Sequence, residues 1–195
     1  MAKAGMAALI AVTLMLGGCG EKSAKEATPT INSSMTGVME PTAQTIWDIV
    51  SSAYNAKGDG LDATKLSDGQ WKQLSDASHR LHERAQMLAM AEHILVAADN
   101  EPILGSQAAG VKGEIGPAWD AASAKVVQAR IDAKPDLFAQ KARDLATAAD
   151  AINKAANTKD IALLYKISSG LDEVCDACHE PFWGTDEPPP FPQGH

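Results

Sequence analysis

Two cysteines and a histidine stand together near the C-terminus, in Val174-Cys-Asp-Ala-Cys-His-Glu-Pro-Phe-Trp183. The pattern Cys175-x-x-Cys178-His179 suits three chemistries. A redox dithiol places C-x-x-C at a helix N-terminus, where the helix dipole lowers the thiol pKa. This pair falls at the end of a helical pattern, where the dipole opposes a thiolate, and there is no βαβ context. A structural zinc needs four ligands, usually two such pairs, and only one is present. The other histidines within reach of a helix are His79, His82 and His93. His79 and His82 have i, i+3 spacing, but His93 is eleven residues beyond His82, roughly 16 Å along an axis. Beside Arg80, Glu83 and Arg84, they read as a solvated face. The third chemistry is covalent haem attachment. Two thioethers fix the macrocycle and the adjacent imidazole supplies an axial nitrogen. Cys175 and Cys178 continue an apolar stripe in phase, which aims both sulfurs inward. Haem attachment is the reading that the residues support best.

The elements that position this motif are helical. Alternating strand patterns are absent, and Ala, Leu, Lys, Gln and acidic residues dominate. Four segments carry apolar residues at spacings of three and four. The first is Met35, Met39, Thr42, Ile46, Ile49, Ala53, interrupted at Pro41. The second is Trp71, Leu74, Ser78, Leu81, Ala85, Leu88, Glu92, Leu95, stopped by Asn100-Glu-Pro102. The third begins near Pro117 with Trp119, Ala122 and Val126. It breaks at Pro135 and resumes as Phe138, Ala142, Leu145, Ala149, Ile152, Ala156. The fourth is Ile161, Leu164, Ser168, Leu171, Cys175, Cys178, starting at Asp160 and stopping at Pro181. Four amphipathic segments predict an all-α fold, an antiparallel four-helix bundle with shallow crossings. Met87 and Met90 in the second segment read as packing residues.

The chain has 195 residues and a net charge of −8, which disfavours a nucleic-acid partner. Aromatic residues are only 5% of it, so a bound macrocycle would add apolar surface that the core lacks. Residues 1–18 read as a signal segment: Lys3 is the positive start and Gly5 to Leu16 the apolar stretch. Leu16-Gly-Gly-Cys19 resembles a bacterial lipobox, which predicts lipidation at Cys19. The expected address is the periplasm, with a lipid anchor in a membrane; Gly20 favours the outer one. Residues 19–31 read as a tether, 32–184 as the helical domain and 185–195 as a Pro-rich extended tail.

Cys175 to His179 on the last of four helices resembles the class II c-type cytochromes, the cytochrome c-prime-like bundles. The first helix, Ser34 to Asp48, also looks like that family's opening helix. The resemblance covers about residues 31–184. It implies one covalent haem c, with Cys175 and Cys178 as attachment points and His179 as proximal iron ligand. It further implies a distal position on the first helix. A methionine there gives a six-coordinate electron carrier; an apolar residue gives a five-coordinate haem that binds NO or another small gas. Met35 best matches the ligating methionine, and Met39, one turn on, is the alternative. Packing in the core is the bland reading of both. Leu171, Phe182 and Ile46 are the expected pocket lining, with Phe182 and Trp183 over the haem edge. Trp183 stands where the family often has a basic residue. The expected function is electron transfer with a periplasmic or membrane redox partner, without enzymatic activity; the family also allows a homodimer.

Overall fold

The computed structural model describes residues 29–99 and 124–183. The segment around Cys19, most of the tether, the tail, and the stretch holding Pro102, Pro117 and Trp119 lie outside the described residues. What is described is all-α, with helices packed against one another.

The first helix is built in three parts: α1 (Ile31–Ser34), a π-helical turn (Met35–Met39) and α2 (Glu40–Ser52). Thr30 caps it, its hydroxyl accepting from the Ser33 N–H at 3.0 Å. The π turn has a local cause. Pro41 has no N–H to give, and its ring crowds the carbonyl four residues back, that of Gly37. Widening the preceding turn relieves that crowding. The Thr42 hydroxyl then donates to the carbonyls of Val38 and Met39, at 2.7 and 2.9 Å. The helix therefore passes through the proline without a break.

Helix α3 (Asp68–Met90) opens with a capping box. The Ser67 hydroxyl takes the Gln70 N–H and the Gln70 side chain takes the Ser67 N–H. It ends at Met90, earlier than the apolar spacing predicts, with Ala91 in extended conformation. Glu92 and Leu95 are exposed and Val96 is buried instead. The reason lies in backbone bonding: carbonyls of Leu95 and Val96 accept the N–H groups of Ile31 and Asn32, both at 2.8 Å. The returning strand of chain thus satisfies donors that any helix N-terminus leaves free. Gln128 holds that segment by accepting from the Val96 N–H and donating to the Ile94 carbonyl.

Helix α4 (Ala124–Ala133) meets α5 (Pro135–Thr158) at Lys134, whose ψ of 53° breaks the run. Pro135 sits in the first turn of α5, where its missing N–H costs nothing. In α4 the stripe is one residue out of phase with expectation: Val127 and Ile131 are buried, whereas Val126 is 42% exposed. Phe138, Ala142, Leu145, Ala149, Ile152 and Ala156 are all buried, as their spacing predicts.

Helices α6 (Ile161–Ser168) and α7 (Gly170–Trp183) form the last segment, capped by Asp160 through the Leu163 N–H at 2.9 Å. Pro181 does not end α7, as its position suggested. The helix runs on to Trp183, because Phe182 is fully buried and its carbonyl takes a hydrogen bond from Arg130 at 3.1 Å.

Cross-helix bonds fix directions. Asp68 pairs with Lys159, Ser75 with Asn153, and His82 with Ala146, so α3 and α5 run antiparallel. Their contact is the most extensive in the fold. Gln70 reaches Ser52 and Arg84 reaches Ser34, so the first helix is antiparallel to α3. Phe182 meets Phe138, and Cys178 senses Lys141 and Asp144, so α7 is antiparallel to α5. Alanines at 77, 85, 149 and 155 are wholly buried on these faces, which lets backbones approach closely. No described helix is long and apolar enough to cross a membrane.

Candidate functional site

Cys175, Cys178 and His179 occupy one turn of α7. Cys178 is buried, 8% exposed, and Cys175 half-buried; both thiols are free rather than joined in a disulfide. His179 lies on the exposed side, its ring centroid 6.0 Å from that of Trp183. The turn thus splits its donors: sulfurs toward the packed interior, imidazole outward. That division follows from the helix period, since Cys175 and Cys178 share the apolar line of Leu171 and Phe182 while His179 falls off it.

The thiols are poor nucleophiles here. Burial pushes Cys175 up to about 11, helped by the carboxylates of Asp172 and Asp176. Burial likewise pushes Cys178 up to about 11; Cys175 and Asp144 add to this and Lys141 opposes it. A redox dithiol needs the reverse, a thiolate held near neutral pH. Nor do the described residues contain any group of three or more His, Cys, Asp or Glu placed to hold a metal ion. His79 is paired with Glu83 at 3.3 Å. His82 is not on a solvated face: its Nδ1 lies 2.9 Å from the Ala146 carbonyl, which can only accept, so this nitrogen carries the proton. The bond arises because α5 packs along α3 at that level. His93 is exposed beyond the end of α3.

Three residues expected to line a pocket, Ile46, Leu171 and Phe182, are fully buried in the common core. Phe182 contacts Phe138 edge to face at 5.6 Å. Trp183 is half-buried beside His179.

Met35 and Met39 bracket the π turn. Met39 is 4% exposed and belongs to the core; Met35 is half-buried and packs against its edge. The π turn packs chiefly on α3, whereas α7 packs chiefly on α5, α4 and α6. Levels along the axes are nevertheless shared. Tyr54, just after α2, meets Tyr165 of α6 with ring centroids 6.4 Å apart. Counting back along the first helix and forward along the antiparallel last one brings Met39 level with Glu180. Stepping instead through the paired bonds of α3 and α5 brings Met35 level with Cys175. The shorter route therefore brings Met39 nearer the turn that holds His179, and the longer one brings Met35 nearer it.

Helix α2 also holds a group to which the apolar spacing gives no clue. The indole Nε1 of Trp47 is buried and is, among the described residues, the one buried side-chain nitrogen or oxygen with no hydrogen-bond partner. Trp47 lies beside the stripe residue Ile46 rather than on the stripe, so periodicity does not single it out. Met87 and Met90 are less enclosed than a packing role requires. With Glu83, Gln86 and Ala91 they line a shallow depression of about 400 Å³, and Met90 is 73% exposed because α3 turns its outer face there.

No protein family, curated protein or solved structure with which the chain was compared matches it.

Proposed function

We propose that this protein is a lipid-anchored periplasmic c-type haem protein that carries electrons, built as an antiparallel four-helix bundle of the class II cytochrome kind. Cys175 and Cys178 hold one haem c through thioethers and His179 provides an axial nitrogen. The observation that carries the reading is the division of one α7 turn into two inward, unpaired thiols and an outward imidazole. The donor set fits the group: the sulfurs are a single helical turn apart, and neither is committed to a disulfide. Haem bound there would supply one-electron Fe(II)/Fe(III) chemistry.

The chain's own residues have the remaining tasks. The buried faces of Leu171, Phe182 and Ile46 exclude water around the thioethers. Met35, on a helix whose π turn sets its register, is the thioether proposed as the second iron ligand, with Met39 one turn on as the alternative. Imidazole opposite thioether raises the reduction potential. Exposed Asp172, Glu173, Asp176 and Glu180 give α7 a negative surface that would steer a basic redox partner, an attraction that salt screens. Cys19 is the proposed lipid attachment point.

A second reading has its own support. Met39 already fills the core and the π turn packs chiefly on α3. If neither methionine reaches the iron, the haem is five-coordinate and captures NO or a similar gas. One experiment separates these readings and the haem-free one: expression with a cytochrome c maturation system, haem staining of a denaturing gel, then oxidised and reduced spectra. Covalent haem with a low-spin ferrous spectrum is the expected result. A high-spin ferrous haem that binds CO without displacing a ligand selects the gas-binding reading, and an unstained band overturns both.

A further inference from the structure

Lys141 of α5 is a half-buried cation whose side chain, among the described residues, makes no hydrogen bond or ion pair. Its place is fixed by neighbours that do make contacts. Phe138 meets Phe182 edge to face at 5.6 Å, where α5 packs against the antiparallel α7. Lys141 is one helical turn on from Phe138, and His179 is one turn back from Phe182, so the two are level. Around α5, Lys141 lies within about 60° of Phe138, the residue that meets α7. Its charge accordingly reaches the motif: Cys178 feels Lys141 and, with the opposite sign, Asp144.

Asp144 opposes Lys141 from one turn further along α5. It is half-buried, and its carboxylate accepts a hydrogen bond from Gln140 Nε2 at 2.8 Å rather than bridging to Lys141. The other charges near this turn differ in kind. Arg130 of α4 donates to the Phe182 carbonyl, so replacing it removes a contact as well as a charge. Asp176 and Glu180 of α7 are exposed, where water weakens their fields. An iron held at this turn gains one positive charge on oxidation. A nearby cation opposes that gain and a nearby anion favours it, more strongly where water is partly excluded.

We propose that Lys141 and Asp144 set the reduction potential of the haem held at Cys175 and Cys178, Lys141 raising it and Asp144 lowering it. The inference rests on the haem reading above. It adds that the potential of this centre is set from α5 as well as by the axial ligands, through two residues that do not touch the iron.

The test is potentiometry on the haem-bound protein with Lys141→Gln, Lys141→Arg, Asp144→Asn and Lys154→Gln, beside urea unfolding of the haem-free forms. Lys141→Gln is expected to lower the Fe(II)/Fe(III) equilibrium constant by about two- to tenfold, the size of one unit charge acting through partly wet protein. Asp144→Asn shifts it the opposite way, and Lys141→Arg keeps the wild-type value. Lys154→Gln removes the same charge roughly 20 Å further along α5. That is beyond the Debye length of about 10 Å in 0.1 M salt, so the potential stays where it was. Haem-free stability is unchanged by Lys141→Gln, because no bond is lost. Unmoved potentials for Lys141→Gln and Asp144→Asn, or shifts of the same sign, overturn the proposal. So does Lys141→Arg behaving like Lys141→Gln, which makes the effect one of packing. If haem staining itself fails, the haem reading falls and this inference with it; if haem is attached and its potential ignores position 141, only this inference falls.

Discussion

Replacing sulfur without replacing volume is the cleanest way to find the distal ligand. Leucine is close to methionine in size, and such swaps in cores usually cost less than about 1.5 kcal/mol. Alanine would be a poor choice at Met39, which is 4% exposed, because truncating a buried methionine costs about 2–5 kcal/mol and would mix cavity formation with ligand loss. Met35 is half-buried and packs only against the edge of the core, so Met35→Leu should cost about 1 kcal/mol or less of packing. Its thioether is also the less committed of the two. The expected outcome is that Met35→Leu turns a low-spin haem high-spin and lowers the midpoint potential, because axial methionine raises it. Met39→Leu should leave the spectrum unchanged and lower the thermal midpoint slightly. Absorption, magnetic circular dichroism and potentiometry on the purified haem protein read these effects. A changed spectrum for Met39→Leu with none for Met35→Leu would mean that the longer route through α3 and α5 gives the wrong level. Low-spin spectra in both variants would refute ligation from the π turn altogether.

Three further outcomes test the scaffold. Ala149 is fully enclosed where α5 meets its neighbours, so Ala149→Leu should destabilise by about 1–3 kcal/mol in urea unfolding; a neutral result would contradict close helix approach. Lys159 closes α5 with φ of 52°, a conformation glycine adopts without strain, so Lys159→Gly should raise stability by about 0.5–1 kcal/mol despite losing the exposed pair with Asp68. Asp62 accepts from the Thr64 side chain and N–H, which lowers its pKa below 3.8; the neighbouring Lys65 lowers it further. A depressed carboxyl stabilises above its unfolded pKa and loses that contribution as pH falls through the folded value. The thermal-midpoint gap between wild type and Asp62→Ala should therefore be present at neutral pH and close as acid takes the pH through the lowered folded value.

Apolar spacing made most interior faces legible, α4 excepted, where Val127 rather than Val126 is buried. The stripe from Phe138 to Ala156 is buried at each predicted position, as is the run Leu164, Ser168, Leu171, Cys178. It failed where backbone bonding, rather than burial, decided the path. Leu95 fits a helical spacing, yet the chain leaves α3 at Met90 because Ile31 and Asn32 need acceptors that a continuing helix could not offer. Pro181 looks like a stop, but the aromatic contact of Phe182 and its carbonyl bond to Arg130 outweigh one missing hydrogen bond in a last turn. That Cys175, Cys178 and His179 share one turn was legible from spacing alone, because the grouping is local. Trp47 was not legible, because an unmet donor is visible only once every neighbour has been placed.

The first helix shows how a single residue can set the geometry of its neighbours from a distance. Pro41 faces neither the thiols nor the core stripe; it is exposed. Its effect passes through the backbone, by forcing the turn before it into π form. A π turn has nearly one residue more than an α turn, so everything N-terminal to it is rotated relative to α2. Met35 and Met39 therefore lie closer to one line along the helix than α geometry allows, while Ile46, Trp47 and Ile49 keep the α register. Two demands are met at once. The α2 part keeps Ile46 and Ile49 in the core, and the π part sets the azimuth of the methionines independently. A regular helix would couple those two angles, and improving one would spoil the other.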